Sequence, residues 1–515
     1  MTNGASKYST VNIFYMDLPE YGSFPFRVKI EQARQLLYSF GAFHPSSLQG
    51  DSIMLNGITR RTILRASCVF ICLQSIGLQA EAESALEMKC IKTAPLVEAL
   101  APGDSAEEDA FCGIDFTNTS TAICPKTWST SPGALIYDLT TTAWEGRKSD
   151  YEKAICQVGG HARDEARREL AIFKNSMNGR ETSGTFAPAS LLYYHMSRLL
   201  QTRIQVPVAV MAQFPVSAYR QRVVGPGLNY SDSKRLTMLH AGWQEMDKAL
   251  SNPPAYSHSR EIISTDGESL WGVLLLESGH RYGPEVNGTR KSGWGDGQNR
   301  DFQQTAPFLA LRTDLPLSQA IVSGLKQARA DTAMAKALPE TISPAQVAWW
   351  MHEITEIVIL DTILRQQDRI GNIDYQWRWL WTEGKALHQS PSKPDASTAT
   401  KLQVSVLNDN DAGVRSSYAN YARRTGMLDS WHHMDPGLYR RITSLAADFE
   451  QSGPIAQAVR QNYRLSAGEA SGIVQRGIEV GTQLRERCLA GALRFDLSVS
   501  SVLQPQAAIE ETTDC

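Results

Sequence analysis

The sequence has little net charge and lacks any long block of basic residues. Its 515 residues carry a formal charge of −3 at pH 7. Binding to a nucleic acid requires a basic patch or stripe that neutralises phosphates, so we expect no nucleic-acid partner. Hydrophobic residues make up 42% of the chain and charged residues 20%, which is typical of a folded globular protein. The length allows two or more domains, or one large two-lobed domain.

Motifs of several enzyme classes are also missing. There is no Gly-x-Ser-x-Gly, which argues against an α/β-hydrolase, and no His-Glu-x-x-His, which argues against a zinc protease. The adjacent His432 and His433 have no third ligand at a metal-binding spacing, so we assign no metal site to them. The chain also has no internal repeats, which argues against a solenoid.

The apolar run at residues 66–78 is too short to span a membrane comfortably, because a spanning helix needs roughly twenty such residues. It follows a basic segment that includes Arg60 and Arg61, and it ends in a small-x-small sequence. These are the parts of a secretory signal, and the paired arginines resemble the twin-arginine export motif of bacteria. We interpret residues 54–82 as a signal peptide and residues 1–53 as an over-annotated extension. A buried helix is the alternative. No membrane span is expected in the mature chain.

The cysteines favour an oxidising compartment. Beyond the predicted signal peptide an even number remains, which suits disulfides in the bacterial periplasm or outside the cell. The sequence does not determine their pairing, and reduced thiols are the alternative. These six cysteines are Cys90, Cys112, Cys124, Cys156, Cys488 and Cys515.

Strand patterns come first along the chain and helix patterns later. Short apolar segments predict strands, and apolar residues at helical spacing predict helices. The predicted strands lie at residues 134–139, 170–173, 205–211, 270–277 and 402–407. The predicted helices lie at residues 150–168, 188–200, 344–367, 436–450, 454–461 and 466–490, and the predicted loops at 279–305 and 384–400. The apolar residues of the helix at 344–367 are expected to keep to one broad face.

Strands followed by helices predict an α+β fold with a sheet-containing N-lobe and a mainly helical C-lobe. Residues 83–133 are predicted to be an irregular, cysteine-containing lead-in. The N-lobe is expected to span residues 134–277 and the C-lobe residues 278–495. Residues 496–515 are expected to be a disordered tail.

The most informative residues are two polar clusters in the predicted C-lobe. Asp368 and Asn372 follow the long apolar helix, and Asp409 and Asp411 follow the last predicted strand. A phosphotransferase needs such a set. One carboxylate orients the attacking hydroxyl, while an amide and a second carboxylate hold Mg²⁺ against the nucleotide phosphates. The second cluster, at residues 408–411, also fits a plain turn or a calcium-binding loop.

Three segments resemble the atypical kinase superfamily that includes secretory-pathway, HipA-like and phosphoinositide kinases. Gln-Asp-Arg-Ile-Gly-Asn-Ile at residues 367–373 resembles their catalytic loop, and Asp-Ala-Gly at 411–413 resembles their metal-binding Asp-x-Gly. The helix at 193–200, which leads to Val-Pro-Val at 206–208, resembles their helix-to-strand passage. The resemblance implies a two-lobed protein-kinase-like fold that uses ATP with Mg²⁺ or Mn²⁺.

The resemblance also assigns roles to the polar residues of the C-lobe. It implies that Asp368 is the catalytic carboxylate that accepts the proton of the substrate hydroxyl. It implies that Asn372 and Asp411 are metal ligands, with Asp409 as the alternative to Asp411. The spacing from Asp368 to Asn372 is one residue shorter than in the family.

Two further residues are expected to contact the nucleotide. Lys174 resembles the strand lysine that pairs with the phosphates. Glu277 is either a hinge residue facing adenine or only a strand terminus. The helix after Lys174 lacks the glutamate that normally pairs with this lysine and carries Ser190 near that place. No convincing Gly-rich phosphate loop precedes Lys174.

The sequence therefore predicts an exported atypical kinase that transfers phosphate from ATP to an unidentified protein or small-molecule hydroxyl. Two alternatives are open. A catalytically inactive kinase-fold scaffold would account for the departures from the family pattern. A secreted, calcium-stabilised binding protein would use the acidic cluster at residues 408–411.

Overall fold

The computed structural model describes the chain within the unit Glu81–Cys515. The predicted signal peptide and the extension before it lie outside the described residues. The structure describes residues 86–156, 162–179, 182–256, 261–384 and 386–515.

Two antiparallel sheets and many helices make the protein α+β, as the order of patterns predicts. The first sheet has six strands in the order β1-β5-β6-β4-β3-β2, and the second has the order β10-β8-β7 with β9 paired to β8. The strands are β1 (Lys89–Ile91), β2 (Thr121–Pro125), β3 (Gly133–Asp138), β4 (Arg168–Asn175), β5 (Ala209–Pro215), β6 (Ser269–Leu275), β7 (His280–Arg281), β8 (Ile373–Glu383), β9 (Ala386–Ser390) and β10 (Thr400–Leu407).

The helices fill most of the remaining described chain. Those before β8 are α1 (Pro102–Cys112), α2 (Lys148–Ala154), α3 (Ala162–Glu165), α4 (Ala187–Leu199), α5 (Val216–Tyr219), α6 (Gly225–Ser233), α7 (Thr237–Ser251), α8 (Pro284–Asn287), α9 (Asp296–Phe302), α10 (Ala306–Leu311), α11 (Leu317–Ala330), α12 (Thr332–Ala337) and α13 (Pro344–Leu364). Those after it are α14 (Tyr421–Arg424), α15 (Pro436–Glu450), α16 (Pro454–Asn462), α17 (Ala467–Leu489) and α18 (Val499–Leu503). Among the described residues, no helix is both long and apolar enough to cross a membrane.

Strand β4 lies inside the first sheet, between β3 and β6. Its last five residues are buried, and Lys174 pairs with Val273 of β6. The strands approach closely because Gly272 of β6 has no side chain. A Cβ added there would lie 2.5 Å from the carbonyl oxygen of Lys174, a distance that no real Cβ tolerates. The sheet therefore holds the backbone of Lys174 in a fixed place.

The second sheet brings the two polar clusters of the sequence together. Strand β8 begins directly after Asn372, and β10 ends directly before Asn408. The two strands are antiparallel, with Ile373 opposite Leu407. The loop before β8 and the segment after β10 therefore meet at the same end of the sheet.

Helix α13 is buried along its whole length, so the expectation of one apolar face is wrong. It packs against α10, α17, α18 and β10. Its polar side chains are satisfied inside the protein. Glu353 accepts hydrogen bonds from Trp349 and from Ser405 of β10, and Glu356 accepts from the backbone amides of Arg203 and Ile204. A helix covered on all sides cannot show the one-sided pattern of a surface helix.

Several segments predicted to be irregular hold regular structure. The loop at 279–305 contains β7, α8 and α9, and the loop at 384–400 contains β9. The lead-in at 83–133 supplies β1, α1 and β2, so the two outer strands of the first sheet come from it. The expected disordered tail at 496–515 holds α18 and a disulfide. These short elements gain their stability from tertiary contacts that local patterns do not encode.

All six cysteines of the described chain form disulfides. The pairs are Cys90–Cys112, Cys124–Cys156 and Cys488–Cys515. The first joins β1 to α1, the second joins β2 to the chain after α2, and the third fastens the tail to α17. The prediction of disulfides is confirmed, and such bonds persist in oxidising compartments.

We expect the Cys124–Cys156 bond to stabilise the protein appreciably. Replacing both residues by alanine should lower the free energy of unfolding by roughly 3 kcal/mol, because the bond closes a loop of 32 residues in the unfolded chain. Urea denaturation under non-reducing conditions measures this change. Peptide mapping of the wild type should recover the same three pairs, and any other pairing would contradict the structure.

Candidate active site around Lys174

The side chain of Lys174 joins the two sheets' polar residues into one cluster. Its ammonium nitrogen lies 2.5 Å from Oε1 of Glu277, 2.9 Å from Oδ1 of Asp409 and 3.4 Å from Oδ1 of Asp411. The lysine side chain is 4% exposed, while that of Asp409 is 35% exposed. The charged cluster is therefore closed at the lysine and opens toward solvent at Asp409.

Electrostatics keep this lysine charged in spite of its burial. Burial opposes the charge, but the carboxylates of Asp409, Asp411 and Glu277 outweigh it and raise the pKa of Lys174 well above its ordinary value. Burial likewise opposes the charge of Asp409, yet Lys174, with smaller contributions from Lys126 and Arg281, outweighs it and lowers the pKa of Asp409. Each group depends on the other for its charged state.

Asp368 lies on the loop that follows α13. The helix ends where Arg365 takes the left-handed conformation, with φ 54°. The backbone amide of Asp368 donates to Oε1 of Gln366, and the exposed Trp294 donates its indole N–H to Oδ1 of Asp368 at 3.3 Å. Burial raises the pKa of Asp368; the Trp294 hydrogen bond opposes this, and the charges of Asp409 and Asp411 add to it. A carboxylate with a raised pKa is a better proton acceptor than an ordinary one.

Arg369 fixes this loop against the segment that follows β10. Its guanidinium lies 3.1 Å from Asp361 of α13, and it donates to the carbonyl oxygen of Asn408 at 3.0 Å and to Oδ1 of Asn410 at 2.7 Å. Asp361 also accepts from the hydroxyl of Tyr193 of α4 at 2.7 Å. One buried arginine thus ties α13, α4 and both polar segments together.

Backbone hydrogen bonds reinforce the same junction. The amide of Gln367 donates to the carbonyl oxygen of Ala412 at 3.1 Å, and that of Val414 donates to Leu364 at 2.5 Å. The amide of Phe186, just before α4, donates to the carbonyl oxygen of Asp411 at 2.7 Å. The relative positions of Asp368 and Asp411 are therefore set by backbone geometry and not by side chains alone.

Asn372 lies beside the cluster, but its amide is already engaged. Nδ2 donates to the carbonyl oxygen of Asp368 at 2.7 Å, and Oδ1 accepts from Arg281 at 2.5 Å. Arg281 also lies 2.5 Å from Asp374 and 3.8 Å from Asp409. The amide oxygen that a metal ligand would use is therefore bound to a guanidinium.

The cluster carries more negative than positive charge. Its cations are Lys174 and Arg281, together with the buried Lys126, whose charge also acts on Asp409. Its carboxylates are those of Glu277, Asp368, Asp374, Asp409 and Asp411. Oxygen ligands of this kind are those that Mg²⁺ and Mn²⁺ prefer, so the donor set fits a divalent cation held by Asp409 and Asp411. In the described ranges, no three or more His, Cys, Asp and Glu side chains are grouped closely enough to hold a metal ion by themselves. Such an ion would need oxygens from a phosphate or from water.

The backbone at Asp409 is unusual. Its φ is 50°, in the left-handed region, where a residue other than glycine is uncommon. Residues held in this region cluster at ligand-binding and catalytic sites. The conformation places the carboxylate against Lys174, and the amide of Asp409 faces Oε1 of Glu277 at 3.4 Å.

The residues predicted from the sequence thus lie close together, although Glu277 and Asn372 have other partners than the resemblance implies. Lys174, Glu277, Asp409 and Asp411 form one charged cluster, and Asp368 lies within its electrostatic reach. Sequence reasoning missed four residues that shape the site: Trp294, Arg281, Asp361 and Arg369. Only Arg369 carried a signal, because it lies inside the Asp-Arg pair of the motif.

No protein-family model matches this chain, and no curated protein matches its sequence. The function is therefore argued from the geometry and chemistry of the site.

We expect Lys174→Met to destabilise the protein by about 3 kcal/mol, because it leaves three carboxylates without their buried cation. Lys248→Met is the matched control, since Lys248 belongs to an exposed pair with Glu245 and should cost less than about 0.5 kcal/mol. Urea denaturation at neutral pH measures both changes. Equal effects of the two substitutions would show that the cluster has no special energetic role.

Proposed function

We propose that the protein is an atypical kinase that transfers the γ-phosphoryl group of ATP to a hydroxyl group. The observation that carries this proposal is the meeting of Lys174, from an antiparallel sheet, with Asp409 and Asp411, from the segment after β10. A buried lysine beside two acidic residues, with a third carboxylate on a nearby loop, is the set that phosphoryl transfer uses.

In the proposed reaction, the acceptor oxygen attacks the γ-phosphorus as the bond to the leaving oxygen of ADP breaks. Asp368 takes the proton of the acceptor hydroxyl, which its raised pKa favours. Asp411 and Asp409 would hold Mg²⁺ or Mn²⁺, which neutralises charge on the phosphates when bound.

Lys174 would supply a positive charge to the phosphates, but its three ammonium hydrogens face three carboxylates in the protein alone. Asp409 is the most exposed of these and is the one that would turn from the lysine toward a divalent cation. That rearrangement frees one N–H for a phosphate oxygen. The proposal therefore predicts that nucleotide binding depends on a divalent cation.

The same proposal includes the two-lobed arrangement and export. The sheet that carries Lys174 would be the core of the N-lobe, and the helical region around α13 would be the core of the C-lobe. Three disulfides support folding in the periplasm or outside the cell. The phospho-acceptor would then be a protein or small molecule that reaches this compartment.

One observation favours the inactive scaffold as a second candidate. The amide oxygen of Asn372, the second expected metal ligand, accepts from Arg281. Glu277, which lies just after β6, forms an ion pair with Lys174, whereas the kinase family forms this pair with a glutamate on a helix. A scaffold would keep the cluster for stability alone.

The excess of carboxylates keeps the calcium-stabilised binding protein open as well. Stabilisation by Ca²⁺ that does not depend on nucleotide would favour it.

The direct test is label transfer from γ-labelled ATP with Mg²⁺ or Mn²⁺, using protein that begins at residue 83. Asp368→Asn should reduce transfer by about a hundredfold or more, because it removes the proton acceptor. It should also leave stability unchanged or raise it at neutral pH. A carboxyl whose pKa is raised in the folded state costs stability wherever it is ionised, and the amide removes that cost.

The outcomes of this test separate the candidates. Transfer by the wild type and not by Asp368→Asn, with both proteins folded, would support the kinase. Absence of transfer from the wild type, with γ-labelled or α-labelled nucleotide, would favour the scaffold.

The pH dependence gives a second test. If Asp368 is the proton acceptor, kcat/KM falls on the acid side as Asp368 becomes protonated, at a pH above that of an ordinary aspartate. Trp294→Phe removes the hydrogen bond that lowers this pKa, so it should move the acid limb to higher pH. Trp377→Phe, on an exposed tryptophan of β8, is the control. An acid limb that stays in place or moves to lower pH in Trp294→Phe would rule out this role.

A further inference from the structure

A polar groove, separate from the charged cluster, begins at Arg365, three residues before Asp368. Its volume is about 540 Å³, and its walls come from the end of α13, the turn at residues 417–420, α14 and α17. The charged residues that line it are four arginines and one glutamate: Arg365, Arg423, Arg424, Arg476 and Glu479. We call this the arginine groove.

Arg476 of α17 is the buried part of the groove. The residue is 8% exposed, and its Nε donates to the carbonyl oxygen of Ile363 at 2.7 Å. Its Nη2 is fully buried and has no hydrogen-bond partner in the protein. A buried guanidinium N–H without an acceptor is costly, because the group loses its hydration and gains nothing in return.

The groove is shaped around this guanidinium. A Cβ on Gly472, one helical turn earlier, would lie 2.9 Å from Nη1 of Arg476, so the glycine leaves room for the arginine to turn along the helix surface. Arg365 donates its Nε to the carbonyl oxygen of Tyr418 at 2.5 Å, which fixes the guanidinium at the groove wall. Arg365 and Arg476 are therefore held in place by the protein around them, whereas Arg423 and Arg424 reach the groove from the surface.

Positive charge in the groove is not balanced by its own residues. Arg423 pairs with Glu479 at 2.8 Å, and Arg424 pairs with Asp296 at 2.7 Å. Among the described residues, no carboxylate lies within ion-pair distance of Arg365 or Arg476. Burial and the charge of Arg365 lower the pKa of Arg476 to about 10; the charge of Glu479 opposes this shift, and that of Arg423 adds to it. An anion in the groove would relieve this repulsion.

We propose that the arginine groove binds a phosphate group, supplied either as a free ion or as a phosphoryl group on Ser417. In the second case a protein kinase would transfer the γ-phosphoryl group of ATP to the Ser417 hydroxyl, with release of ADP and of the hydroxyl proton. Planar guanidinium groups from different elements match the several oxygens of a phosphate. A phosphate dianion would also neutralise the charges of Arg365 and Arg476, which no carboxylate of the described residues pairs with. Ser417 lines the groove and is exposed, so a phosphoryl group on its hydroxyl would lie at the groove's edge. This inference does not depend on the proposed kinase activity.

The position of the groove gives it a mechanical connection to the charged cluster. Arg365 lies three residues before Asp368, and the segment that begins at Asp411 runs directly to the turn at residues 417–420. A bound phosphate would hold these two segments of the chain together where Arg365 already contacts Tyr418.

The test begins with mass analysis of the purified protein, followed by calorimetric titration with inorganic phosphate at constant ionic strength. If Ser417 is unmodified, phosphate should bind the wild type. Arg476→Gln should weaken binding by about tenfold or more, since it removes a charge-assisted hydrogen-bond donor. If mapping finds phosphate on Ser417, free phosphate should bind only to Ser417→Ala.

Two further variants keep the test decisive if Arg476→Gln fails to fold. Arg423→Gln changes a side chain that is 61% exposed, and Gly472→Ala displaces the Arg476 guanidinium. Both should weaken phosphate binding severalfold, whereas Arg460→Gln, on the exposed face of α16, should not. Unchanged binding in Arg423→Gln and Gly472→Ala would place the phosphate elsewhere and overturn the proposal. So would an unmodified Ser417 together with no binding to the wild type.

Discussion

The structure depends on one buried helix that carries carboxylates. Helix α13 is covered on every side, yet Glu353, Glu356 and Asp361 lie on it. Buried carboxylates are tolerable only where donors meet them, so each one specifies where another part of the chain must lie. Glu353 holds β10, Glu356 holds the chain before β5, and Asp361 holds Arg369. The helix therefore sets the position of both sheets' connections as well as the helical core.

The charged cluster follows from that arrangement. With Arg369 fixed by Asp361, the loop of Asp368 and the segment of Asp411 lie against each other, and Lys174 reaches them from the first sheet. The result is a group of carboxylates that its own cations do not balance. Perturbed ionisable groups are concentrated at functional sites, and structural ion-pair networks hold them too.

The sequence predicted the α+β class, half of the strands, the longest C-terminal helices and the residues that meet in the cluster. It predicted them because Asp368 and Asp411 follow strongly apolar elements, whose type is easy to infer. It did not predict that Glu277 pairs with Lys174, since ion pairs distant in sequence leave no local pattern. The ordered tail was missed for a similar reason: Cys515 is held by Cys488 on α17, and the pairing of cysteines is not encoded by spacing. The buried pair of Asp361 with Arg369 was not predicted either, because it forms across the end of α13, where helical spacing no longer applies.

Strands β8, β9 and β10 lie in the sequence between Asp368 and Asp411, yet their pairing brings these two residues together in space. The pairing of Ile373 with Leu407 fixes where they meet, whereas residues 391–399, which connect β9 to β10 at the opposite end of the β8–β10 pair, only close the chain. Closing a longer loop costs little extra entropy. A domain inserted at residues 391–399 would therefore be separated from the charged cluster by the length of the β8–β10 pair. This segment is a natural attachment point for a reporter that leaves the chemistry undisturbed.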